Sequence, residues 1–118
     1  MKRTAEITQS GKTIIGRCQI ATSFWSRFWG LMWKPGMDPD AAIVFPHCNS
    51  IHTFFMRFPI DVVFLDRHGQ ITELVPNVKP WRILLPRLAA RHVLELSSNK
   101  ISAAALRVGG KIQIEGVF

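Results

Sequence analysis

The sequence predicts an α+β fold: a single compact domain over residues 1–118, built on a mostly antiparallel, curled or barrel-like β-sheet with short covering helices. Three observations predict this class. The chain has 118 residues, which is enough for one hydrophobic core. Short apolar, β-branched runs alternate with turns rich in Gly, Pro and Asn, as in antiparallel sheets. Only two short stretches carry a helical period, and no internal repeat is visible.

The strands are predicted from apolar runs bounded by turn residues. The first two are joined at Ser10-Gly11 and a later pair at Gly69, positions where glycine permits a tight turn. The three prolines of residues 76–86 deny that stretch regular structure, so we interpret it as a long irregular loop. The predicted strands are residues 2–8, 13–20, 41–45, 60–66, 70–74, 92–96 and 111–117.

Two helices are predicted to cover the sheet. Residues 99–107 form a short one that begins at Ser98 or Asn99. Residues 22–33 form an amphipathic one whose tryptophans recur at every fourth position. These tryptophans are Trp25, Trp29 and Trp33. The stripe could be a partner-binding or membrane-interface face. A stripe at helical spacing usually covers a core, and we interpret it that way.

Composition places the chain among soluble folded proteins. Hydrophobic residues make up 47% and charged residues 19%, which excludes disorder. No apolar run follows the basic start as in a signal peptide, and none is long enough to span a bilayer. We therefore expect a cytoplasmic protein whose two cysteines are reduced thiols. The net charge of +7 favours polyanionic partners, although such attraction is unspecific and screened by salt.

The segment "HCNSIH" at residues 47–52 suggests a metal site, but its spacing argues against one. In an extended strand, Cys48 and His52 would lie roughly 13 Å apart and His47 would point to the other face. Zinc ligands must lie about 2.0–2.3 Å from one ion. A nucleophile–base pair of Cys48 with a histidine cannot be read from the sequence, and a lone cysteine beside a strand is usually a small core residue. We expect no metal and no cofactor.

The polar residues of the apolar segment 48–74 are the candidate site. His52, Arg57 and Asp61 lie within ten residues around a proline turn, and a carboxylate in so apolar a strand must be paired or hydrogen-bonded. One interpretation is a shallow polar groove in which Arg57 and Asp61 orient a ligand. The other is structural, with Asp61 capping backbone N–H groups or pairing with an arginine. The sequence leaves both open and favours the second.

Two further residues are candidates for the same groove. Trp81 lies in the basic loop 79–91, which could stack a base and hold phosphates or could simply be a solvated loop anchored by its tryptophan. Glu95 alternates with leucines in a strand, so it faces either the groove or solvent. We therefore expect a non-enzymatic accessory module that binds a small molecule or a protein at His52, Arg57, Asp61, Trp81 and Glu95. The alternatives are a small hydrolase that uses Asp61 and His52 as acid and base, and an electrostatic nucleic-acid binder.

Several motifs together resemble the DUF192 family of small bacterial and archaeal proteins. They are "GLMW" at 30–33, "IHTFFMRFPIDVVFLD" at 51–66 with glycine at 69, "HVLEL" at 92–96 and "GGKIQI" at 109–114. The resemblance runs from about residue 5 onward. It implies a compact β-rich α+β fold and no established activity.

The chain departs from the family pattern in two places. Family members tend to have a glycine after the "LEL" strand, where this chain has "SSN" at 97–99. They also tend to have Gly-Asp before the last strand, where this chain has Gly110-Lys111. If the family aspartate serves a site, that site is altered here.

Overall fold

The structure, a computed structural model, describes residues 4–9, 11–21, 36–54 and 56–114. Nine strands and one helix lie in these residues. They are β1 (Thr4–Gln9), β2 (Lys12–Ile20), β3 (Ala41–Pro46), β4 (Ile51–His52), β5 (Ile60–Leu65), β6 (Ile71–Val78), β7 (Ile83–Leu84), β8 (His92–Ser97), α1 (Lys100–Ala103) and β9 (Ile112–Ile114).

Seven strands form one curled sheet in the order β6-β5-β8-β3-β2-β1-β9, and β4 pairs with β7 in a separate ribbon. Within the described residues, β2 and β3 run parallel and the other paired strands run antiparallel, as expected. The curl brings the two edges together at an isolated bridge between Gln70 and Lys111. There the Ile71 N–H donates to the Gly110 carbonyl at 2.8 Å. The sheet is curled as predicted, but it does not close into a barrel.

The sheet separates two apolar clusters because successive side chains of a strand point to opposite faces. In β8, Leu94 and Leu96 belong to the first cluster. Val93 belongs to the second cluster, and so does Ile60, the first residue of β5. Glu95 follows the same alternation, so its carboxyl group points toward the second cluster. The core therefore has two layers, and one of them contains a buried acid.

The covering helix predicted at residues 99–107 is much shorter in the structure than the sequence predicts. The described residues contain one helix, α1, of four residues, and no described helix is long and apolar enough to cross a membrane. Asn99 precedes α1 with φ of 76° and makes no side-chain cap. Asparagine tolerates this left-handed conformation better than most residues, which explains how a non-glycine residue can stand there. The predicted tryptophan helix at 22–33 lies outside the described residues.

The prediction of an irregular loop at residues 76–86 is wrong in part. β6 continues through Pro76 to Val78, and Ile83–Leu84 forms a short strand. Proline is tolerated there because β6 is an edge strand of the sheet, where a missing N–H leaves no ladder bond unmade. The two hairpin turns were predicted correctly, with Gly11 and Gly69 both at positive φ.

Candidate functional site

The ribbon of β4 and β7 contains His52 of the predicted site, and Trp81 lies just before β7. His52 pairs with Ile83 across the ribbon, and Ile51 pairs with Leu84. Alternation turns Ile51 and Leu84 inward against the second core cluster. His52 and Ile83 face outward, and Ile83 is 58% exposed. We call residues 51–54 together with residues 79–84 the side ribbon.

Three rings form a row on the outer side of this ribbon. The His52 and Phe54 ring centroids are 4.9 Å apart at 31°, and those of Phe54 and Trp81 are 5.8 Å apart at 34°. These separations are typical of attractive ring pairs. Trp81 remains 55% exposed although it is a large apolar side chain. The structure thus brings together two of the predicted site residues, His52 and Trp81, through a third ring.

A buried threonine holds the two segments of the side ribbon together. Thr53 is 1% exposed, and its Oγ1 donates to the Lys79 carbonyl at 2.7 Å and accepts from the Arg82 N–H at 2.8 Å. Its backbone N–H donates to the Arg82 carbonyl at 2.9 Å, and its carbonyl accepts from the Trp81 N–H at 3.0 Å. These four bonds fix residues 79–82 against β4. They hold Trp81 at φ of 64°, a left-handed conformation that is costly for a bulky residue.

The surroundings of the ring row are basic. Lys79 and Arg82 are exposed on either side of Trp81, and Arg57 is exposed on the connection to β5. None of these three takes part in the two ion pairs that the described residues form, Arg17–Asp38 and Arg87–Glu73. The side ribbon therefore combines an exposed aromatic row with positive charge that no ion pair among the described residues compensates.

The structure places Asp61 inside the protein, and its carboxylate does not reach the side ribbon. It is 0% exposed. Its Oδ1 accepts from the Asn77 N–H at 2.9 Å, and its Oδ2 accepts from the Ile101 N–H at 2.8 Å. The carboxylate thus ties the end of β6 to α1, which is the structural role that the sequence favours. Neither bond involves His52, so this arrangement does not support the acid–base pair of the hydrolase alternative.

Glu95 is also buried, at 4% exposure, and it neither lines the side ribbon nor faces solvent. Its strand neighbours on either side are Ile43 and Val62. Burial raises the pKa of the Glu95 carboxyl group from 4.5 to about 8. The side chain is therefore mostly neutral at pH 7, and the protein carries about one more positive charge than its formal +7.

Among the hydrogen bonds of the described residues, neither cysteine thiol is paired with a histidine. The Cys48 thiol donates to the Ser50 carbonyl at 3.3 Å, and burial raises the pKa of the Cys18 thiol to about 12. His92 accepts the His47 N–H at Nδ1, and burial is the main cause that lowers the pKa of its imidazole. No group of three His, Cys, Asp or Glu side chains in this part of the chain is arranged to hold a metal ion.

Sequence reasoning missed three residues of the side ribbon: Thr53, Phe54 and Ile83. The signal that could have found Phe54 and Ile83 is the spacing of two between His52 and Phe54 and between Trp81 and Ile83; no such signal indicates Thr53. That spacing places each pair on one face of a strand. It was hidden because the neighbouring prolines indicated a loop.

Comparison with known proteins finds a matching family model and relatives of similar sequence. A family model, DUF192, described as an uncharacterized ACR, matches residues 5–114. A UPF0127 protein of Thermococcus sibiricus is 34% identical over 109 residues, which cover 89% of this chain and 70% of the relative. The UPF0127 protein PF1050 of Pyrococcus furiosus is 32% identical over 109 residues, covering 87% of this chain and 90% of the relative.

Two crystal structures share the fold. One, described as a putative transcription regulator from Sinorhizobium meliloti, has a TM-score of 0.81 at 24% identity and covers 98% of this chain and 94% of its own. The other, a protein of unknown function from Novosphingobium aromaticivorans, has a TM-score of 0.79 at 17% identity. The match covers 95% of this chain and 84% of that protein. At these identities the likeness concerns the fold alone.

Proposed function

We propose that this chain, which belongs to the DUF192 family, is a non-enzymatic partner-binding module whose contact surface is the outer side of the side ribbon. The observation that carries the proposal is the row of His52, Phe54 and Trp81, with more than half of the Trp81 side chain exposed. Aromatic residues and arginine dominate the binding energy of protein interfaces. The row and its basic flanks provide both.

The rigidity of the row supports a binding role. Trp81 adopts a positive φ, which costs of order 1–3 kcal/mol for a non-glycine residue. The four hydrogen bonds of Thr53 maintain this conformation. A backbone that is already held in this conformation loses little conformational entropy on binding, so more of the contact energy contributes to affinity.

Charge indicates the class of partner. Lys79 and Arg82 are exposed next to Trp81 in the chain, Arg57 is exposed three residues after Phe54, and Glu73, a nearby acid in the sequence, is paired with Arg87. A basic surface with exposed apolar rings is complementary to an acidic segment that also carries apolar side chains. We therefore propose that the partner presents an acidic, amphipathic peptide segment.

Fluorescence anisotropy with labelled peptides tests this proposal. Peptides that alternate Asp or Glu with Leu or Phe should bind, and peptides of the same pattern with Lys should not. Trp81→Ala should weaken binding by about thirtyfold, the loss expected for a central aromatic contact. Val108→Ala is the matched control, because Val108 is 63% exposed but lies outside the side ribbon. Equal affinity of the wild type and Trp81→Ala would contradict the proposal.

A second candidate function, binding of single-stranded nucleic acid, is favoured by the same exposed ring beside Lys79 and Arg82. Bases stack on aromatic side chains while cations hold the phosphates. The affinity for an oligonucleotide would fall steeply as salt is raised, because bound counterions are released. The anisotropy assay with an oligothymidine probe at two salt concentrations decides between the two partners.

A further inference from the structure

A cavity of about 400 Å³ lies away from the side ribbon, beside the turn that precedes β5. It is formed where residues 36–39, the Phe58-Pro59 turn and residues 97–103 meet. Its volume is within the range of small-molecule sites. Phe58 and Pro59 of the "FPID" motif thus line a cavity. Its other walls come from segments that the sequence does not identify as part of a site.

The cavity has an apolar side and a polar side. Met37, Phe58 and Pro59 contribute apolar surface on one side. Polar groups come from the other side, from the loop after β8, and Lys100 is the charged residue among the described residues that line the cavity. None of these described lining residues carries a carboxylate, and neither of the ion pairs formed by the described residues involves Lys100. The described part of the lining therefore offers one positive charge at the rim of an apolar wall.

The polar rim is held in place by bonds from inside the protein. The buried Asp61 carboxylate accepts the Ile101 N–H at 2.8 Å, next to Lys100 in the chain. It also accepts the Asn77 N–H, and the Ser98 hydroxyl donates to Asn77 Oδ1 at 3.0 Å. The rim is therefore fixed to β5 and β6 before any ligand arrives, which lowers the entropic cost of binding.

We propose that this cavity binds a small organic monoanion with an apolar body, a medium-chain carboxylate being the simplest form. The carboxylate group pairs with the Lys100 ammonium group and accepts from the side-chain amide of Asn99, which also lines the cavity. The apolar body covers Met37 and Phe58, and removal of this surface from water drives binding. The site is independent of the side ribbon and of its partner.

Isothermal titration calorimetry with octanoate tests the proposal, with octanol and octylamine as neutral and cationic probes of the same length. Octanoate should bind, and octanol and octylamine should bind much more weakly. Lys100→Gln should weaken octanoate binding by about tenfold or more, as expected for the loss of a charge-assisted bond. Lys100→Glu should reverse the preference toward octylamine. Lys111→Gln is the control, because Lys111 is an exposed lysine outside the cavity.

A second variant, Ala103→Leu, tests the location of the octanoate site and leaves the Lys100 charge in place. Ala103 lines the cavity and is exposed, so Ala103→Leu should fill part of the space and weaken octanoate binding without unfolding the protein. Trp81→Ala should leave octanoate binding unchanged, which separates this site from the side ribbon. The proposal is overturned if octanoate does not bind at millimolar concentration, if octanol binds equally well, or if Lys100→Gln binds like the wild type.

Discussion

Replacement of Glu95 by glutamine should make the protein more stable at alkaline pH. Glu95 lies in the central strand β8 between Ile43 and Val62, at 4% exposure. Burial raises the pKa of its carboxyl group to about 8, so the folded protein keeps this proton over a pH range in which the unfolded chain has lost it. Stability must therefore fall as the pH rises from the unfolded pKa to the folded one.

The magnitude follows from the two pKa values. The unfolded carboxyl group has its ordinary value of 4.5, the folded one about 8, and each pKa unit corresponds to about 1.4 kcal/mol. The wild type should lose roughly 1.4 kcal/mol per pH unit between these values, on the order of 5 kcal/mol in total. Above pH 8 both states are ionised and the loss stops. This loss is comparable with the entire stability of a small domain, about 5–15 kcal/mol.

Urea denaturation of the wild type and Glu95→Gln at half-unit steps from pH 5 to pH 9 measures the difference directly. His92 and Cys18, whose pKa values are also changed by burial, are present in both proteins, so their contributions cancel. The wild-type stability should fall relative to the variant up to about pH 8. Glu73→Gln, which removes a partly exposed acid, should change stability by less than about 1 kcal/mol and keep the wild-type slope. Parallel curves for the wild type and Glu95→Gln would refute the reasoning.

Three further substitutions have expected outcomes that urea denaturation can check. Asp61→Asn should cost about 1–3 kcal/mol, because its amide cannot accept both partly buried N–H donors as the carboxylate does, and a loss below about 1 kcal/mol would show that these two bonds are dispensable. Trp81→Ala should be about 1 kcal/mol less stable than Trp81→Gly, because only glycine adopts φ of 64° without strain; equal stability would contradict this. Asn99→Ala should cost about 1 kcal/mol while Asn99→Gly stays within about 0.5 kcal/mol of the wild type, since φ is 76° there, and an equal loss in both would argue for a side-chain role.

The sheet was predictable because its strands are defined by local pattern. Alternation, β-branched residues and the glycine turns at Gly11 and Gly69 are all properties of neighbouring residues. The extent of β6 was not predictable, because proline is acceptable only on an edge strand, and strand order is set by tertiary packing. The length of α1 was overestimated for a similar reason: the chain turns at Ala104 and Ala105, the latter at φ of 54°, although alanine favours helix.

The candidate site was predictable only in its residue types. The sequence grouped His52 with Asp61 because they are close along the chain, but the turn between them sends one outward and the other into the core. The sequence did not decide whether Glu95 faces the groove or solvent, and in the structure its side chain lies inside the protein. The pairing of Trp81 with His52 through Phe54 depends on the register of β4 against β7, which no local pattern specifies.

The position of Asp61 bears on how the "FPID" motif should be interpreted. In this chain the Asp61 carboxylate accepts two partly buried backbone N–H groups and so joins the end of β6 to α1, whatever the chain binds. The motif therefore identifies the fold and does not by itself identify a ligand. Specificity should instead reside in side chains that contribute little to folding, above all Trp81 on the side ribbon and Lys100 at the cavity. Relatives that share "FPID" but differ at those two positions should share the structure and bind different partners.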